Sequence, residues 1–156
     1  MIDHQQLREL IIRPTLQILH LDSPEAEELL VFTCAVESKG GTYLKQINGV
    51  ALGIYQMEPR TYNDIWQNSI RGRHQLLNIL GSNFGIFQMP NEDRMIYDLQ
   101  YATIMCRLHY DRVRERLPEA NDVNAIWEYY KRYYNTIMGK AEQKESIEAY
   151  EDYITQ

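Results

Sequence analysis

The sequence predicts a mostly α-helical domain that is built around one buried central helix and carries one small β-hairpin. Apolar residues recur at helical spacing over most of the chain, and one helical segment is apolar on most of its faces. An Asn-Gly pair separates two short β-branched runs, which is typical of a hairpin. The 156 residues can bury one core, and no linker or repeat divides them, so we expect a single domain over residues 1–156.

The predicted central helix begins at Ser23-Pro24-Glu25, where a hydroxyl cap is followed by proline and then an acid. Gly40-Gly41 is the expected end, since glycine readily takes the left-handed conformation that closes a helix. Because the residues between are mostly apolar, we expect this helix to be buried. Glu37 therefore lies in its last turn, where the core meets the surface.

The predicted hairpin follows directly. Thr42–Ile47 and Val50–Tyr55 are rich in β-branched and aromatic residues and flank Asn48-Gly49. Such a pair favours a two-residue turn in which both residues have positive φ. We expect the hairpin to cover the end of the central helix.

Further helices are expected around the central one. The first helical stretch covers residues 3–20, and Pro14 is expected either to split it into two short helices or to begin the second, because proline cannot donate a backbone hydrogen bond. The others are a helix opened by Pro59 and Thr61 and running to about Ile70, one over 73–80 ended by Gly81, one over 94–116 ended before Pro118, one capped by Asp122 and ended by Gly139, and an acidic one over 141–154.

Charge and hydropathy exclude several classes of function. The net charge of −6 argues against sequence-independent nucleic-acid binding, which needs a basic surface. No apolar run approaches the roughly 20 residues that cross a bilayer, so no membrane insertion is expected. Met1-Ile2-Asp3-His4 lacks the basic and apolar regions of a signal peptide. We expect synthesis in a cytoplasm, with any export by other means.

Cysteine and histidine spacings indicate no disulfide framework, metal site or cofactor. Cys34 lies among apolar residues, which favours a small buried thiol. No metal-type spacing joins it to Cys106. The four histidines also lack the spacing of ligands: His4, His20, His74 and His109.

Glu37 is the candidate catalytic residue. Cleavage of a glycosidic bond requires a carboxylic acid that stays protonated near neutrality and protonates the leaving oxygen. A carboxyl group at the end of an apolar helix, covered by neighbouring chain, has its pKa raised by desolvation. The alternative on position alone is a solvent-exposed Glu at a helix end.

The register downstream of Glu37 favours catalysis. Glu37-Ser38, the turn Gly53-Ile54-Tyr55-Gln56, and then Pro59 and Thr61 resemble the soluble lytic transglycosylase and goose-type lysozyme-like family. Members pair Glu-Ser at a helix end with Gly-(Leu/Ile)-Met-Gln and Pro-x-Thr. The resemblance covers about residues 35–140 and implies a lysozyme-like α+β fold that acts on peptidoglycan.

The resemblance also implies substrate-binding roles. Ser38 would hold the N-acetyl or lactyl portion of the substrate, Gln56 an acetamido group, and Tyr55 would replace the family's Met as a groove wall. The family's later Ala-Tyr-Asn-x-Gly motif, whose Tyr hydrogen-bonds the catalytic Glu, matches Tyr134-Asn135. Tyr134 is thus the expected partner of Glu37, with Tyr129 and Tyr130 as rivals. This match is weaker, because Tyr133 stands where the family has Ala and Ile137 where it has the first Gly; Gly139-Lys140 follow where the family has Gly-Arg.

The second carboxylate decides the reaction class. An inverting hydrolase needs a second carboxylate, roughly 6.5–9.5 Å from the acid, to activate water. Residues 38–57 contain no Asp or Glu, and Glu58 and Asp64 are the first that follow. The absence of a carboxylate from residues 38–57 favours a lytic transglycosylase. In that reaction Glu37 acts first as acid and then as base, and a 1,6-anhydro product forms. A hydrolytic lysozyme stays open, because Glu58 or Asp64 could fold into place.

The run Tyr130–Thr136, Tyr-Lys-Arg-Tyr-Tyr-Asn-Thr, resembles tailed-phage versions of this domain. The resemblance implies a phage muralytic protein that is made in the host cytoplasm and reaches the wall within a virion or after lysis. Its expected partners are peptidoglycan glycan strands and virion proteins. Two alternatives stay open: a non-catalytic virion component that keeps the fold, and a helical adaptor in which the motif register is accidental.

Overall fold

The computed structural model describes residues 1–136 and 142–156, and the predicted mostly α-helical class is confirmed. Two π-helical segments, Leu7–Ile12 and Trp66–Ile70, extend the α-helices that precede them. The α-helices of the described residues are α1 (His4–Gln6), α2 (Arg13–Ile18), α3 (Pro24–Ser38), α4 (Pro59–Ile65), α5 (His74–Phe84), α6 (Arg94–Tyr97), α7 (Leu99–Asp111), α8 (Val123–Tyr133) and α9 (Gln143–Ile154).

Helix α3 is the central helix, as the sequence predicts. The Ser23 hydroxyl accepts a hydrogen bond from the amide of Ala26 at 3.0 Å, which is the expected N-cap. At the other end Lys39 takes the left-handed conformation, and the amide of Gly40 donates to the carbonyl of Cys34. Helices α7, α8 and α9 and the first π-helical segment all pack against α3. Its fully buried side chains include Leu29, Leu30, Val31, Phe32, Cys34 and Ala35.

Ion pairs and a hydrogen bond fix the two ends of the chain to the first half of α3. Arg13 binds the buried Glu27 through two hydrogen bonds of 2.9 and 3.0 Å, and Arg8 pairs with Glu28 at 2.9 Å. Tyr150 of α9 donates to the same Glu28. These contacts hold the N-terminal helices and α9 at the beginning of α3. Beyond its C-terminal end, the amide of Ile2 donates to the carbonyl of Gly40 at 2.8 Å and the ring of Tyr153 from α9 lies against Gly40.

The predicted β-hairpin is wrong. Within the described residues this region forms only isolated antiparallel bridges, Lys45 to Leu52 and Leu52 to Met57. Asn48 has the positive φ of a two-residue hairpin turn but Gly49 does not, so the turn that would align two strands is not formed. The apolar residues nearest the predicted turn also find no core to cover, since Leu44, Ile47 and Val50 are exposed.

Several helix boundaries differ from the predicted ones. Helix α5 continues through Gly81 and ends at Gly85, which has a φ of 66°. The ring of Phe87 lies over Gly81, and this contact gives the glycine a packing role inside the helix. The predicted 94–116 helix is divided at Asp98, whose carboxylate caps α7 by accepting from the amide of Tyr101. Helix α7 then ends at Asp111, before the predicted end at 116. Helix α8 ends at Tyr133, before the predicted stop at Gly139, which itself lies outside the described residues.

None of the helices in residues 1–136 and 142–156 has both the length and the apolar character needed to cross a bilayer.

Gly53 is the residue at which the loop region depends most on the absence of a side chain. It has a φ of 77°, and a Cβ added there would lie 2.4 Å from the carbonyl oxygen of Met95. Gly53→Ala should therefore destabilise the fold by about 2–4 kcal/mol, measured by urea unfolding. Gly85→Ala is the matched control because Gly85 has a similar φ of 66° and nothing within 4 Å of its added Cβ. It should cost about 1 kcal/mol, and equal losses in both variants would contradict the packing argument.

Candidate active site

The candidate site forms where the last turn of α3 leaves the core. Cys34 and Ala35 are fully buried, while Glu37 is partly accessible to solvent. Lys39 ends the helix immediately after Ser38. Glu37 therefore lies where it was predicted to lie, at the boundary between the core and the surface. Its backbone belongs to the buried helix, and its side chain reaches the edge of the core.

Ser38 joins the end of α3 to the turn Gly53–Gln56. Its hydroxyl donates to the carbonyl oxygen of Ile54 at 2.6 Å and accepts from the amide of Gly41 at 2.9 Å. Ser38 has no exposed surface. The predicted contact of Ser38 with a substrate is therefore wrong, because both the side chain and its hydrogen bonds lie inside the protein.

The turn itself is closed by backbone hydrogen bonds. Leu52 and Met57 exchange two of them, at 2.9 and 3.0 Å, and the amide of Gln56 donates to the carbonyl of Gly53 at 3.0 Å. The side-chain amide of Gln56 donates to the same carbonyl at 2.8 Å. Gln56 has a φ of 50°, and this side-chain bond helps to hold that left-handed conformation. Its proposed contact with an acetamido sugar stays a prediction.

Tyr55 points into the core. Only 1% of the residue is exposed, and its hydroxyl lies 2.9 Å from the hydroxyl of Thr103 on α7. The prediction of Tyr55 as a groove wall is therefore wrong. The Tyr55 side chain instead holds the turn against α7, and Ser38 holds the turn against α3.

Glu37 is held by a tyrosine and an asparagine from the end of α8. Tyr130 donates its hydroxyl proton to Oε2 of Glu37 at 2.9 Å. The side-chain amide of Asn135 donates to the Tyr130 hydroxyl at 3.1 Å and also hydrogen-bonds Glu37. The sequence reasoning did not assign Asn135 a role, although it directly follows the tyrosine of the later motif.

The prediction that Tyr134 binds Glu37 is wrong, and its rival Tyr130 makes that contact. The two tyrosines lie four residues apart, so their rings point the same way and stack with centroids 6.1 Å apart. Tyr134, at the C-cap of α8, reaches past the end of α3 and donates to the carbonyl oxygen of Tyr55 at 2.5 Å. Both tyrosines therefore serve the site, one at the carboxyl group and one at the turn.

Burial raises the pKa of Glu37 from its ordinary value of 4.5 to about 7. Hydrogen bonds from Tyr130 and Asn135 act in the opposite direction because they favour the charged form, and the negative charge of Glu58 raises the pKa further. Desolvation outweighs the hydrogen bonds. Near neutral pH a substantial fraction of Glu37 carries a proton, which is the state a general acid needs.

The two carboxylates that follow the turn, Glu58 and Asp64, differ in whether hydrogen bonds hold them in place. Asp64 accepts from Arg112 and from Asn68, both at 2.6 Å, and these bonds lower its pKa. It is thus fixed as an ion-pair partner on the outer face of α4. Glu58 is exposed, makes no capping bond to α4, and acts on Glu37 through its charge. The structure therefore brings Glu58, and not Asp64, into the electrostatic surroundings of Glu37.

A cavity of about 500 Å³ lies between the residues around His20 and the first turn of α5. Its described lining contains His20, Arg73 and His74 but no carboxyl group that could protonate a glycosidic oxygen as Glu37 could. The described residues also contain no cluster of three or more His, Cys, Asp or Glu side chains that could hold a metal ion. The group around Glu37 remains the arrangement with a defined chemistry.

The raised pKa of Glu37 has a consequence for stability. The carboxyl group ionises near pH 4.5 in the unfolded chain and near pH 7 in the folded one, so stability is lost as pH rises through this window. Glu37→Gln should match the wild type below pH 4 and exceed its free energy of unfolding by about 1–3 kcal/mol at pH 9. Urea unfolding at both pH values measures this. An equal difference at both would show that Glu37 is not desolvated.

Comparison of the chain with protein-family models, with curated proteins and with solved structures gives no match.

Proposed function

We propose that the protein is a peptidoglycan lytic transglycosylase that cleaves the β-1,4 bond between N-acetylmuramic acid and N-acetylglucosamine. The observation that carries the proposal is the state of Glu37. Its pKa is raised to about 7 by burial, and Tyr130 and Asn135 orient the carboxyl group. A desolvated, oriented carboxylic acid at the surface is what protonation of a glycosidic oxygen requires.

The chemistry proceeds in two steps through one carboxyl group. Glu37 first gives its proton to the oxygen that leaves with N-acetylglucosamine, and the bond from that oxygen to C1 of the muramic acid breaks. The resulting carboxylate, stabilised by the hydroxyl of Tyr130, then takes the proton of the 6-hydroxyl of the same muramic acid. As that proton leaves, O6 bonds to C1 and the 1,6-anhydro sugar forms. No second carboxylate is needed to activate water.

The motif register supports the choice of substrate. The Glu-Ser pair and the Gly-Ile-Tyr-Gln turn, whose counterparts lie together in the resembled family, are joined here by the hydrogen bond from Ser38 to Ile54. Gln56 retains a small exposed surface at this turn, 9% of the residue, and is our candidate for contact with an acetamido group. The proposal extends to a tailed-phage origin and action on the bacterial wall, on the resemblance of the run Tyr130–Thr136.

A second candidate function is a non-catalytic virion component that keeps this fold. The burial of Ser38 and Tyr55 favours it, because both motif residues are accounted for by folding alone. The raised pKa of Glu37 favours the enzyme, since a desolvated carboxyl group costs stability at neutral pH and is retained at functional sites.

Digestion of purified peptidoglycan separates the candidates. The wild type should release muropeptides that end in 1,6-anhydro-muramic acid, identified by mass. Glu37→Gln should reduce the rate at least about 100-fold, because it removes the proton donor and keeps the shape of the side chain. Glu119→Gln, which changes an exposed carboxylate on the loop before α8, is the matched control and should digest at the wild-type rate.

Each other outcome contradicts part of the proposal. Products with reducing ends would mean that water attacks C1 and the protein is a hydrolytic lysozyme. No release by wild-type protein whose folding is confirmed by cooperative unfolding would favour the virion component.

A further inference from the structure

We propose that Arg112 is a positioning residue of the same site, which acts through His109 and Tyr134 on the turn Gly53–Gln56. The inference rests on the proposed function and adds to it a residue outside the motifs that define the site. It concerns the side chains that hold Tyr134, whose hydroxyl donates to the carbonyl oxygen of Tyr55.

Arg112 joins α4 to the last turn of α7. It lies at the C-cap of α7, directly after Asp111. Its Nη1 atom donates to Oδ2 of Asp64 on α4 at 2.6 Å, and its Nη2 atom hydrogen-bonds Nδ1 of His109 at 2.7 Å. The other carboxylate oxygen of Asp64 accepts from Asn68 at 2.6 Å. Because the guanidinium is planar, these two bonds together fix its orientation.

The bond from Arg112 also fixes the state of the His109 ring. A guanidinium has only donors, so Nδ1 of His109 accepts. The ring is then neutral, with its proton on Nε2. Burial and the positive charge of Arg112 lower the pKa of His109 to about 4, against the opposing charge of Asp64. His109 therefore stays a neutral, oriented ring near neutral pH.

Tyr134 is packed among three rings, those of His109, Tyr110 and Tyr130. The centroids of these rings lie 5.0, 5.3 and 6.1 Å from the centroid of Tyr134, in that order. The direction of a tyrosine hydroxyl depends on two side-chain torsions, so the rings that enclose Tyr134 decide where its hydroxyl points. A displaced His109 would give Tyr134 room to turn.

A hydrogen bond holds the polar end of each of these three rings. Tyr130 donates to Glu37 at 2.9 Å, and the hydroxyl of Tyr110 lies 2.8 Å from that of Thr33, so both are joined to α3. The histidine ring is held by Arg112 instead, which connects it to α4. Loss of Arg112 would therefore release one of the three rings and leave the other two in place.

The effect reaches the turn through the Tyr134 hydroxyl, which donates to the carbonyl of Tyr55 at 2.5 Å. Within the described residues the turn is otherwise held by isolated bridges and not by a sheet. Gln56, the next residue, is the candidate for contact with an acetamido group. Because Tyr130 keeps its own bond to Glu37, a loosened turn should weaken substrate binding more than it slows the chemistry.

The ion pair with Asp64 would not by itself give Arg112 this role. The pair is partly exposed, and such pairs contribute little to stability. Arg73 forms a similar, partly exposed pair with Asp111 at the same end of α7, at 2.9 Å. Among the described residues it makes no hydrogen bond to His109. Arg73→Met is therefore the matched control for Arg112→Met.

The experiment measures kcat and KM on soluble glycan strands of peptidoglycan. Arg112→Met, which keeps the length of the side chain, should raise KM about 3- to 10-fold and leave kcat within about twofold. Tyr134→Phe removes the hydroxyl that holds the turn and should act similarly. Because Arg112 acts through that hydroxyl, the double variant should be no worse than the worse single variant. Arg73→Met should match the wild type.

Arg112→Lys separates the charge from the geometry. Lysine keeps the positive charge but lacks the planar fork that reaches two partners at once. Arg112→Lys should therefore raise KM nearly as much as Arg112→Met, and a wild-type KM in this variant would overturn the proposal. The milder substitution also serves if Arg112→Met does not fold.

Three further results would overturn the proposal. One is an unchanged KM in Arg112→Met. Another is a double variant in which the effects of Arg112→Met and Tyr134→Phe multiply, which would show that the two residues act independently. The third is an equal rise of KM in Arg73→Met, which would show that loss of either ion pair of α7 is enough.

Two readouts need no activity and keep this test separate from the proposed function. With ¹⁵N-labelled histidine, the resonances lost in His109→Gln identify the ring. At pH 7 the wild type should show Nδ1 unprotonated and Nε2 protonated, and Arg112→Met should raise the pKa of His109 because a neighbouring positive charge is lost. A wild-type ring with its proton on Nδ1, or an unchanged pKa in Arg112→Met, would overturn the link.

The second readout is urea unfolding of Arg112→Met, Tyr134→Phe and the double variant. Losses of stability that are less than additive would show that the two side chains act on the turn as one unit. Additive losses would contradict the proposal. If the wild type digests no peptidoglycan, the proposed function fails, and these two readouts still decide whether Arg112 positions Tyr134.

Discussion

The hydrogen bond from the Ser38 hydroxyl to the carbonyl of Ile54, at 2.6 Å, joins the two parts on which the site depends. One part is the buried helix α3, whose last turn carries Glu37. The other is the turn Gly53–Gln56, which within the described residues is held by isolated bridges and not by a β-sheet. Because the turn lacks strands, its position relies on this bond, on the Tyr55 contact with Thr103 and on the Tyr134 contact from α8.

The site brings opposing influences to one carboxyl group. Desolvation favours the neutral acid, the hydroxyl of Tyr130 and the amide of Asn135 favour the carboxylate, and the charge of Glu58 opposes it again. A general acid that must later act as a base needs both states within reach, so a pKa near the working pH suits the proposed two-step chemistry. The hydrogen bonds also fix the direction of the carboxyl group, which burial alone would not do.

Short-range signals in the sequence, such as helix caps and hydropathy, predicted the parts of the fold that depend on neighbouring residues. The Ser23 cap, the bounds of α3 and the place of Glu37 follow from capping and hydropathy, and the structure confirms them. Three-dimensional packing decided the rest. Tyr130 and Tyr134 share one helix face, so spacing could not show which one meets the carboxyl group. The Asn48-Gly49 signal did not produce a hairpin, because Ile47 and Val50 on either side of it are exposed and have no core to cover.

The central claim is that Glu37 holds a proton near neutrality because α3 and α8 bury it, and a titration of its side-chain carboxyl carbon by NMR tests this most directly. With ¹³C-labelled Glu, the resonance lost in Glu37→Gln identifies the group. A midpoint of about 7 is expected, against the ordinary value of 4.5. Tyr130→Phe should raise the midpoint further, since it removes a hydrogen bond that favours the carboxylate. A midpoint near 4.5 in the folded wild type would contradict the account.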